Sequence, residues 1–176
     1  MDYHAPPRHK PADLAGYLEA LSRPVFQAGI SWRVIDAKWS GIREAFAGFT
    51  PTVVANYGPD DVDRLLGDPQ VVRSKAKIEA TIDNAQTMRS ASPSLIALAK
   101  SYESTRTRAP RSLAGLPTST PHAESFAKQL KSQGYRFVGP TSVYAFMQNV
   151  GVINDHIHGC FRATDYPRHA TTTAGR

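Results

Sequence analysis

Apolar residues recur every three or four positions along most of this chain, the spacing that places them on one face of an α-helix. Convincing alternation of apolar and polar residues, the pattern of a half-buried β-strand, is not found. The helical periodicity covers residues 14–21, 35–46, 62–66, 71–85, 95–102, 123–130 and 143–150. The pattern therefore predicts an all-α fold built as a helical bundle.

Proline and glycine mark where these helices are expected to end. Pro24 is predicted to interrupt the first helix, and the residues from Gly48 to Pro51 to close the second. The longest helix is predicted from about residue 70 to residue 88. The stretch 104–119 is polar and rich in Arg, Thr and Pro, which predicts a loop.

The two ends of the chain differ in character from the part between them. Residues 1–12 are rich in proline and predict an extended arm. Residues 13–162 carry the helical periodicity and predict one helical domain, which a chain of 176 residues is long enough to build around a core. Residues 163–176 are polar and basic, and we expect a mobile tail there.

Composition narrows the class of protein further. Apolar residues make up 41% of the chain, and no apolar run is long enough to span a membrane. The N-terminus shows no apolar signal-peptide core and the chain holds one cysteine, so we expect a cytoplasmic protein. The 21 Lys and Arg residues against 15 Asp and Glu give a net charge of +6, which favours a polyanionic partner.

The stretch 120–150 predicts two helices joined by a short hairpin. Thr120 is a plausible N-cap and Pro121 suits the first helical position, where a missing N–H costs nothing. Gly134 supplies the left-handed residue that a helix C-terminus favours. A second helix is predicted to begin at Pro140, after the apolar turn 135–139.

A glycine-bearing hairpin that leads into a helix directs free backbone N–H groups at one point, where a DNA phosphate fits without any base being read. This interpretation makes the hairpin and its flanks a candidate DNA-binding surface. Its candidate residues are Lys131, Gly134, Arg136, Gly139 and Thr141. From spacing alone, an ordinary αα-hairpin in a helical bundle is the alternative.

Several short motifs carry a more specific resemblance, spread in order over residues 13–161. They are Gln27-Ala-Gly-Ile-Ser-Trp32, Arg73-Ser-Lys-Ala-Lys-Ile78 with Asn84-Ala85, Leu116-Pro-Thr-Ser-Thr-Pro121, Tyr135-Arg-Phe-Val-Gly139, Tyr144-Ala-Phe-Met-Gln148 and Val152-Ile-Asn-Asp-His156. In these motifs the chain resembles the type I 3-methyladenine DNA glycosylases, a branch of the helix-hairpin-helix glycosylase superfamily. The resemblance implies an all-α fold with a base pocket between lobes. It also implies excision of alkylated bases from double-stranded DNA, and we expect the protein to be a monomer.

The resemblance places a base pocket around Trp32, with Gln27 beside it and Tyr3 as a second aromatic residue. An alkylated adenine is cationic, and a tryptophan face attracts cations. The family carries a glutamate that reads the exocyclic amine of the base, and this chain has Pro24 at that position. Two functions follow: a glycosylase with altered base selection, or a non-catalytic module that binds DNA or damaged bases and has lost excision.

Hydrolysis of an alkylated nucleotide needs little acid catalysis, because the cationic base already leaves easily. The enzyme must extrude the base and stabilise an oxocarbenium-like sugar while water attacks. The family resemblance puts Asn154 where many helix-hairpin-helix glycosylases carry an aspartate, and Asp155 is its neighbour. Both are candidate catalytic residues, and a capping or structural carboxylate is the alternative for Asp155.

A structural zinc ion is an open question at the sequence level, and we expect no cofactor to be required for the chemistry. His156 and Cys160 are four residues apart, a spacing that can chelate a metal, and His4 is a candidate third ligand. The resemblance matches the same residues to family ligands, but the family's N-terminal cysteine has no counterpart here. Four protein ligands normally close a structural site. With His158 or water as the fourth ligand the site stays weak, and a buried thiol beside surface histidines is the alternative.

Overall fold

A computed structural model describes residues 10–103, 110–112, 114 and 116–160 of the chain, and these contain helices and turns but no β-strand. The helices are α1 (Leu14–Gln27), α2 (Trp32–Ala45), α3 (Pro51–Val54), α4 (Pro59–Gly67), α5 (Lys75–Ser90), α6 (Leu95–Ser101), α7 (Pro121–Ser132) and α8 (Pro140–Asn149). A 3-10 turn, Ala47–Phe49, joins α2 to α3. The predicted all-α fold is confirmed.

Helix α1 runs through Pro24, so the predicted interruption there is wrong. The helix begins at the N-cap Asp13, whose carboxylate accepts a hydrogen bond from the Gly16 N–H at 2.9 Å. Proline has a helical φ, and its cost in a helix lies in one lost N–H and in crowding of the carbonyl four residues earlier. Burial of Leu18, Leu21 and Phe26 on the same helix offsets that cost.

The longest helix begins later than the periodicity predicts. Residues 68–74 form turns, with the Gln70 N–H bonded to the Asp68 side chain at 2.7 Å, and α5 starts at Lys75. Val71 nevertheless contributes to the core from within these turns, since it is 3% exposed. An apolar residue just before a helix therefore extended the apparent helical pattern. The short helix α3 was not predicted.

Helix α1 lies at the centre of the packing, against α2, α5 and α8, and α7 packs against α8. The buried side chains form one continuous hydrophobic cluster across these helices. Its largest fully buried members include the aromatic residues Phe26, Phe46, Phe49, Phe126 and Phe146. This shared core fixes the C-terminus of α1, the helix α5 and the α7–α8 connection in one body.

Parts of the predicted domain organisation lie outside the described residues. The arm is described only at residues 10–12, the loop 104–119 only in part, and the tail 163–176 not at all, so these stay predictions. Within the described part, no helix combines the length and the apolar character needed to cross a membrane.

Candidate nucleic-acid interface and base pocket

Helix α7 ends in a Schellman motif that turns the chain toward α8. The Tyr135 N–H bonds the Leu130 carbonyl at 3.0 Å, and the Gly134 N–H bonds the Lys131 carbonyl at 3.0 Å. Gly134 has φ +96°, a left-handed conformation that glycine adopts without the steric cost of a Cβ. The predicted helix, glycine turn and helix are therefore present, with Tyr135 buried at 3% exposure rather than at the surface.

The N-terminus of α8 presents backbone donors at the end of this turn. Gly139 is the N-cap and has no side chain to accept a hydrogen bond, while Pro140 occupies the first helical position. The N–H groups of Thr141 and Ser142 are then the first donors that a helix start leaves without an intrahelical acceptor. Thr141 is exposed, so an anion can approach these donors from solvent.

The candidate phosphate-contacting side chains surround the same turn. Lys131 is exposed in the last turn of α7, where its charge also complements the helix dipole. The Arg136 guanidinium, about half exposed, pairs with the carboxylate of Asp83 on α5. Phe137 follows with φ +57° and 40% exposure, an uncommon backbone conformation for a large side chain. The candidate residues thus run from the last turn of α7 to the first turn of α8, and their contact with DNA stays a prediction.

The predicted base-binding residues Pro24, Gln27 and Trp32 lie at the junction between α1 and α2. Trp32 is the first residue of α2 and is 41% exposed, so its ring is not part of the hydrophobic core. The Arg33 guanidinium lies 5.4 Å from the centroid of the Trp32 ring. Gln27 ends α1 and is partly buried, and Pro24 is buried one turn earlier in the same helix. Tyr3, the second predicted aromatic, lies outside the described residues.

Lys77 is a buried residue of α5 that bonds the end of α1 and is not part of the exposed basic surface. Although it lies close in sequence to the basic residues Arg73 and Lys75, it is only 8% exposed. Its Nζ donates to the carbonyls of Phe26 at 2.9 Å and Ala28 at 2.5 Å, at the end of α1. Burial lowers the pKa of the Lys77 ammonium below its ordinary value. Lys75 pairs with Glu79 at 3.8 Å on the outside of the same helix.

Asp155 is buried at 2% exposure and accepts two side-chain hydrogen bonds from α8. The Tyr144 hydroxyl donates to Asp155 Oδ2 at 2.5 Å, and the Gln148 amide donates to the same oxygen at 2.7 Å. The Asn154 side chain accepts from the His156 backbone N–H at 3.1 Å, a local turn contact. Asp155 therefore attaches its segment to α8, whereas the Asn154 contact orders only the local turn.

His156 and Cys160 have the separation expected of two zinc ligands. The His156 Nδ1 and Cys160 Sγ atoms lie 3.5 Å apart. Zn–S and Zn–N bonds of about 2.3 and 2.0–2.1 Å at a tetrahedral angle give a ligand–ligand distance of about 3.5 Å. Within the described ranges no group of three His, Cys, Asp or Glu residues could hold a metal ion. His4 lies outside those ranges, and the His158 N–H bonds the Pro110 carbonyl at 2.8 Å.

Sequence reasoning missed the residues that hold the two candidate surfaces in place. In the sequence, Lys77 and Asn84 stand out only as members of a motif. In the structure Asn84 is fully buried and bonds both the N–H and the carbonyl of Arg136. Both residues lie on α5, seven positions apart and therefore on one helix face. Two polar residues spaced seven apart among apolar positions of helical spacing were the sequence signal that could have identified them as buried.

Comparison with known proteins places these features in one family. Residues 1–163 match the family model described as methyladenine glycosylase. The chain is 35% identical over 139 residues to DNA-3-methyladenine glycosylase 1 of Escherichia coli, covering 76% of this chain and 74% of that protein. It is 31% identical over 166 residues to DNA-3-methyladenine glycosylase of Haemophilus influenzae, covering 91% and 90% of the two chains.

Solved structures agree with the sequence relatives. A crystal structure of 3-methyladenine DNA glycosylase I matches with a TM-score of 0.79 at 35% identity, covering 87% of each chain. The enzyme from Staphylococcus aureus matches with a TM-score of 0.80 at 28% identity, covering 92% of this chain and 87% of that one. The match to the family model, over residues 1–163, includes the hairpin, the α1–α2 junction and α8. The chain therefore belongs to the methyladenine glycosylase family.

Proposed function

We propose that this chain is a DNA repair N-glycosylase that extrudes an alkylated, 3-methyladenine-like base from double-stranded DNA and hydrolyses its N-glycosidic bond. Trp32 is the observation that carries the proposal. In a chain of this family, a tryptophan 41% exposed at the first position of a helix offers a flat face for an extruded base. A related 3-methyladenine DNA glycosylase I, 28% identical, was solved in complex with 3-methyladenine.

The chemistry follows from the charge of the substrate. A base alkylated on a ring nitrogen is cationic, and its attraction to the Trp32 face contributes about 0.5–2 kcal/mol. The base leaves as a neutral molecule, so no side chain has to protonate it. What remains is to hold the base and to stabilise an oxocarbenium-like sugar while water attacks. The hairpin meanwhile holds the duplex through backbone N–H groups near Gly139 and Thr141.

Asp155 has a supporting role in this scheme. Its carboxylate is already compensated by the Tyr144 hydroxyl and the Gln148 amide, and it is 2% exposed. A buried carboxylate with two donors orders the chain around it. We therefore assign Asp155 to the attachment of residues 152–156 to α8, and Asn154 to the local turn in which its side chain accepts from the His156 N–H.

A second candidate function rests on Pro24. The position that carries a base-reading glutamate in similar glycosylases holds an apolar side chain here, buried within α1. A flipped adenine-type base would then leave its exocyclic amine without a charged acceptor. This favours either relaxed base selection or a binding module without excision, and the two are separated by whether free base is released.

We propose double-stranded DNA as the partner and a monomer acting in the cytoplasm, as the net charge of +6 and the family chemistry support. The reaction uses no cofactor. A zinc ion held by His156 and Cys160 would be structural, and it would order the end of the helical domain. Elemental analysis of protein purified without added metal tests for it, and Cys160→Ser and His156→Ala identify the ligands by loss of zinc.

The function is tested by incubating the protein with methylated duplex DNA and separating the released bases. We expect free 3-methyladenine at a rate above the spontaneous rate. Undamaged duplex serves as the control substrate and should release nothing. Binding of methylated duplex without any release would establish the binding-module alternative, and failure to bind duplex at all would overturn both.

A further inference from the structure

Helix α5 contacts the base-binding end and the DNA-binding end of the molecule through one face. At its first turn, Lys77 Nζ donates to the carbonyls of Phe26 and Ala28, where α1 ends and the chain turns toward Trp32. Helix C-termini leave carbonyls without donors, and a cation there also complements the helix dipole. Lys77 thereby fixes the path of residues 28–31.

Two turns further along, Asn84 holds the hairpin. Its Oδ1 accepts from the Arg136 N–H at 2.7 Å, and its Nδ2 donates to the Arg136 carbonyl at 3.1 Å. One buried amide side chain thus satisfies both backbone groups of a residue 52 positions away. The neighbouring Asp83 pairs with the Arg136 guanidinium. One turn later, the Thr87 hydroxyl lies 3.7 Å from the Cβ position of Gly134.

We propose that α5 sets the distance between the base-binding junction and the DNA-binding hairpin, with Lys77 and Asn84 as positioning residues. A helix rises 1.5 Å per residue, so the two residues lie about 10 Å apart along a rigid axis. Lys77 is 8% exposed and Asn84 is fully buried, and each is placed to act through the backbone it holds. The inference rests on the proposed function, because base extrusion needs the duplex and the pocket at a fixed separation.

The test compares Lys77→Met and Asn84→Ala with Thr81→Val as the matched control. Thr81 is buried on the same helix, but among the described residues its hydroxyl bonds only the Lys77 carbonyl within α5. Two readouts separate the ends of the molecule: amide hydrogen exchange at residues 27–32 and 134–139, and affinity for undamaged duplex. Neither readout requires base excision.

We expect Asn84→Ala to speed exchange at residues 134–139 alone and to weaken duplex binding about tenfold, the loss expected for one to two hydrogen bonds. Lys77→Met should speed exchange at residues 27–32 alone and leave duplex affinity unchanged. In single-turnover excision, Lys77→Met should lower the rate at saturating DNA. Asn84→Ala should instead raise the DNA concentration at which the rate is half-maximal. Thr81→Val should leave hydrogen exchange, duplex affinity and the excision rate as they are in wild type.

Conservative variants guard against simple unfolding. Lys77→Arg restores a cationic donor, so its hydrogen exchange and excision rate should be close to those of wild type. Asn84→Asp keeps the acceptor for the Arg136 N–H and loses the donor to its carbonyl, so it should fall between wild type and Asn84→Ala. Equal loosening of both segments in either variant, or a pattern matching Thr81→Val, overturns the inference. If wild type releases no base while the exchange and binding results hold, the proposed function fails and the positioning role stands.

Discussion

The side-chain amide of Asn149 donates to the backbone carbonyl of Ala20 at 3.5 Å, and this joins the end of α8 to the middle of α1. Ala20 lies four residues before Pro24, so its carbonyl is the acceptor that a regular helix would bond to the N–H at position 24. Proline has no N–H to give. Asn149 therefore supplies from another helix a donor that α1 lacks.

This relationship predicts a coupling between positions 149 and 24. Asn149→Ala should lower the free energy of unfolding by about 1 kcal/mol in wild type, the usual net contribution of a hydrogen bond. In a Pro24→Ala background the loss should be smaller, because residue 24 then bonds the Ala20 carbonyl itself. Urea unfolding of the four proteins measures the coupling. An equal loss in both backgrounds would show that Asn149 does not compensate for proline.

A second prediction concerns base selection at position 24. Pro24→Glu should raise the preference for 3-methyladenine over 7-methylguanine, because a carboxylate adds a charge-assisted hydrogen bond of about 1.5–3 kcal/mol to the amine. That corresponds to about one to two decades of discrimination. Because Pro24 is buried, the unpaired carboxylate should also destabilise the protein without substrate. Release of both bases from methylated DNA is the measurement.

Pro24→Gln is the control for this substitution, since glutamine matches the size of glutamate without its charge. It should gain little preference while relieving the helix of proline in the same way. Strong selection for 3-methyladenine in wild type would mean that another group already supplies the contact.

Gly139 offers a substitution with opposite effects on stability and on DNA binding. It is the N-cap of α8 with φ −67°, and a Cβ there meets no atom within 4 Å. Gly139→Asp should stabilise the fold by about 0.5 kcal/mol, since aspartate caps a helix and complements its dipole. It should weaken duplex binding roughly tenfold through repulsion of the phosphate, without altering base preference.

Gly139→Asn separates cap from charge, because it adds the same volume without a negative charge. Thermal unfolding and fluorescence anisotropy on undamaged duplex give the two readouts. Unchanged duplex affinity in a folded Gly139→Asp protein would place the phosphate elsewhere.

Asp155 is predicted to support structure rather than chemistry. Asp155→Asn should lower the free energy of unfolding by about 1–3 kcal/mol, because it replaces a charged acceptor of two buried hydrogen bonds. Tyr144→Phe should cost less in that background than in wild type, since the two groups share one bond. Excision by the folded variant should stay within about one decade of wild type. A loss of several decades in a stable protein would instead assign Asp155 to catalysis.

Tyr135 predicts a loss of stability at alkaline pH. Burial raises the pKa of its hydroxyl to about 12, above its ordinary value near 10. Between these values the unfolded chain loses the phenolic proton before the folded protein does. Stability from this group is therefore complete below pH 10 and falls as pH rises toward 12, by about 1.4 kcal/mol at pH 11.

Tyr135→Phe should remove that alkaline loss. The hydroxyl is buried without a hydrogen-bond partner among the described residues, so its removal should not destabilise the protein at pH 7. Urea unfolding of both proteins at pH 8 and pH 11 tests the difference. Parallel pH profiles for the two proteins would show that Tyr135 ionises freely.

Local chemistry in the sequence determined the helical class, the hairpin and the family. The spacing of apolar residues, the cap at Thr120 and the glycine at position 134 each act within a few residues, and all three are found in the structure. The motif Gln27-Ala-Gly-Ile-Ser-Trp32 likewise places Trp32 at the start of a helix, because a left-handed glycine turn at Gly29 precedes it and Ser31 occupies the N-cap position.

Only the tertiary structure decided which polar residues are exposed and which are buried and hydrogen-bonded to another part of the backbone. Lys77 and Lys75 are two residues apart and chemically alike, yet one is buried against α1 and the other pairs at the surface. Asn84 meets Arg136, and Asn149 meets Ala20, across separations that no local pattern encodes. Pro24 likewise remains within a helix because of tertiary contacts. The burial of its neighbours outweighs the low helix propensity of proline, which acts on one residue alone.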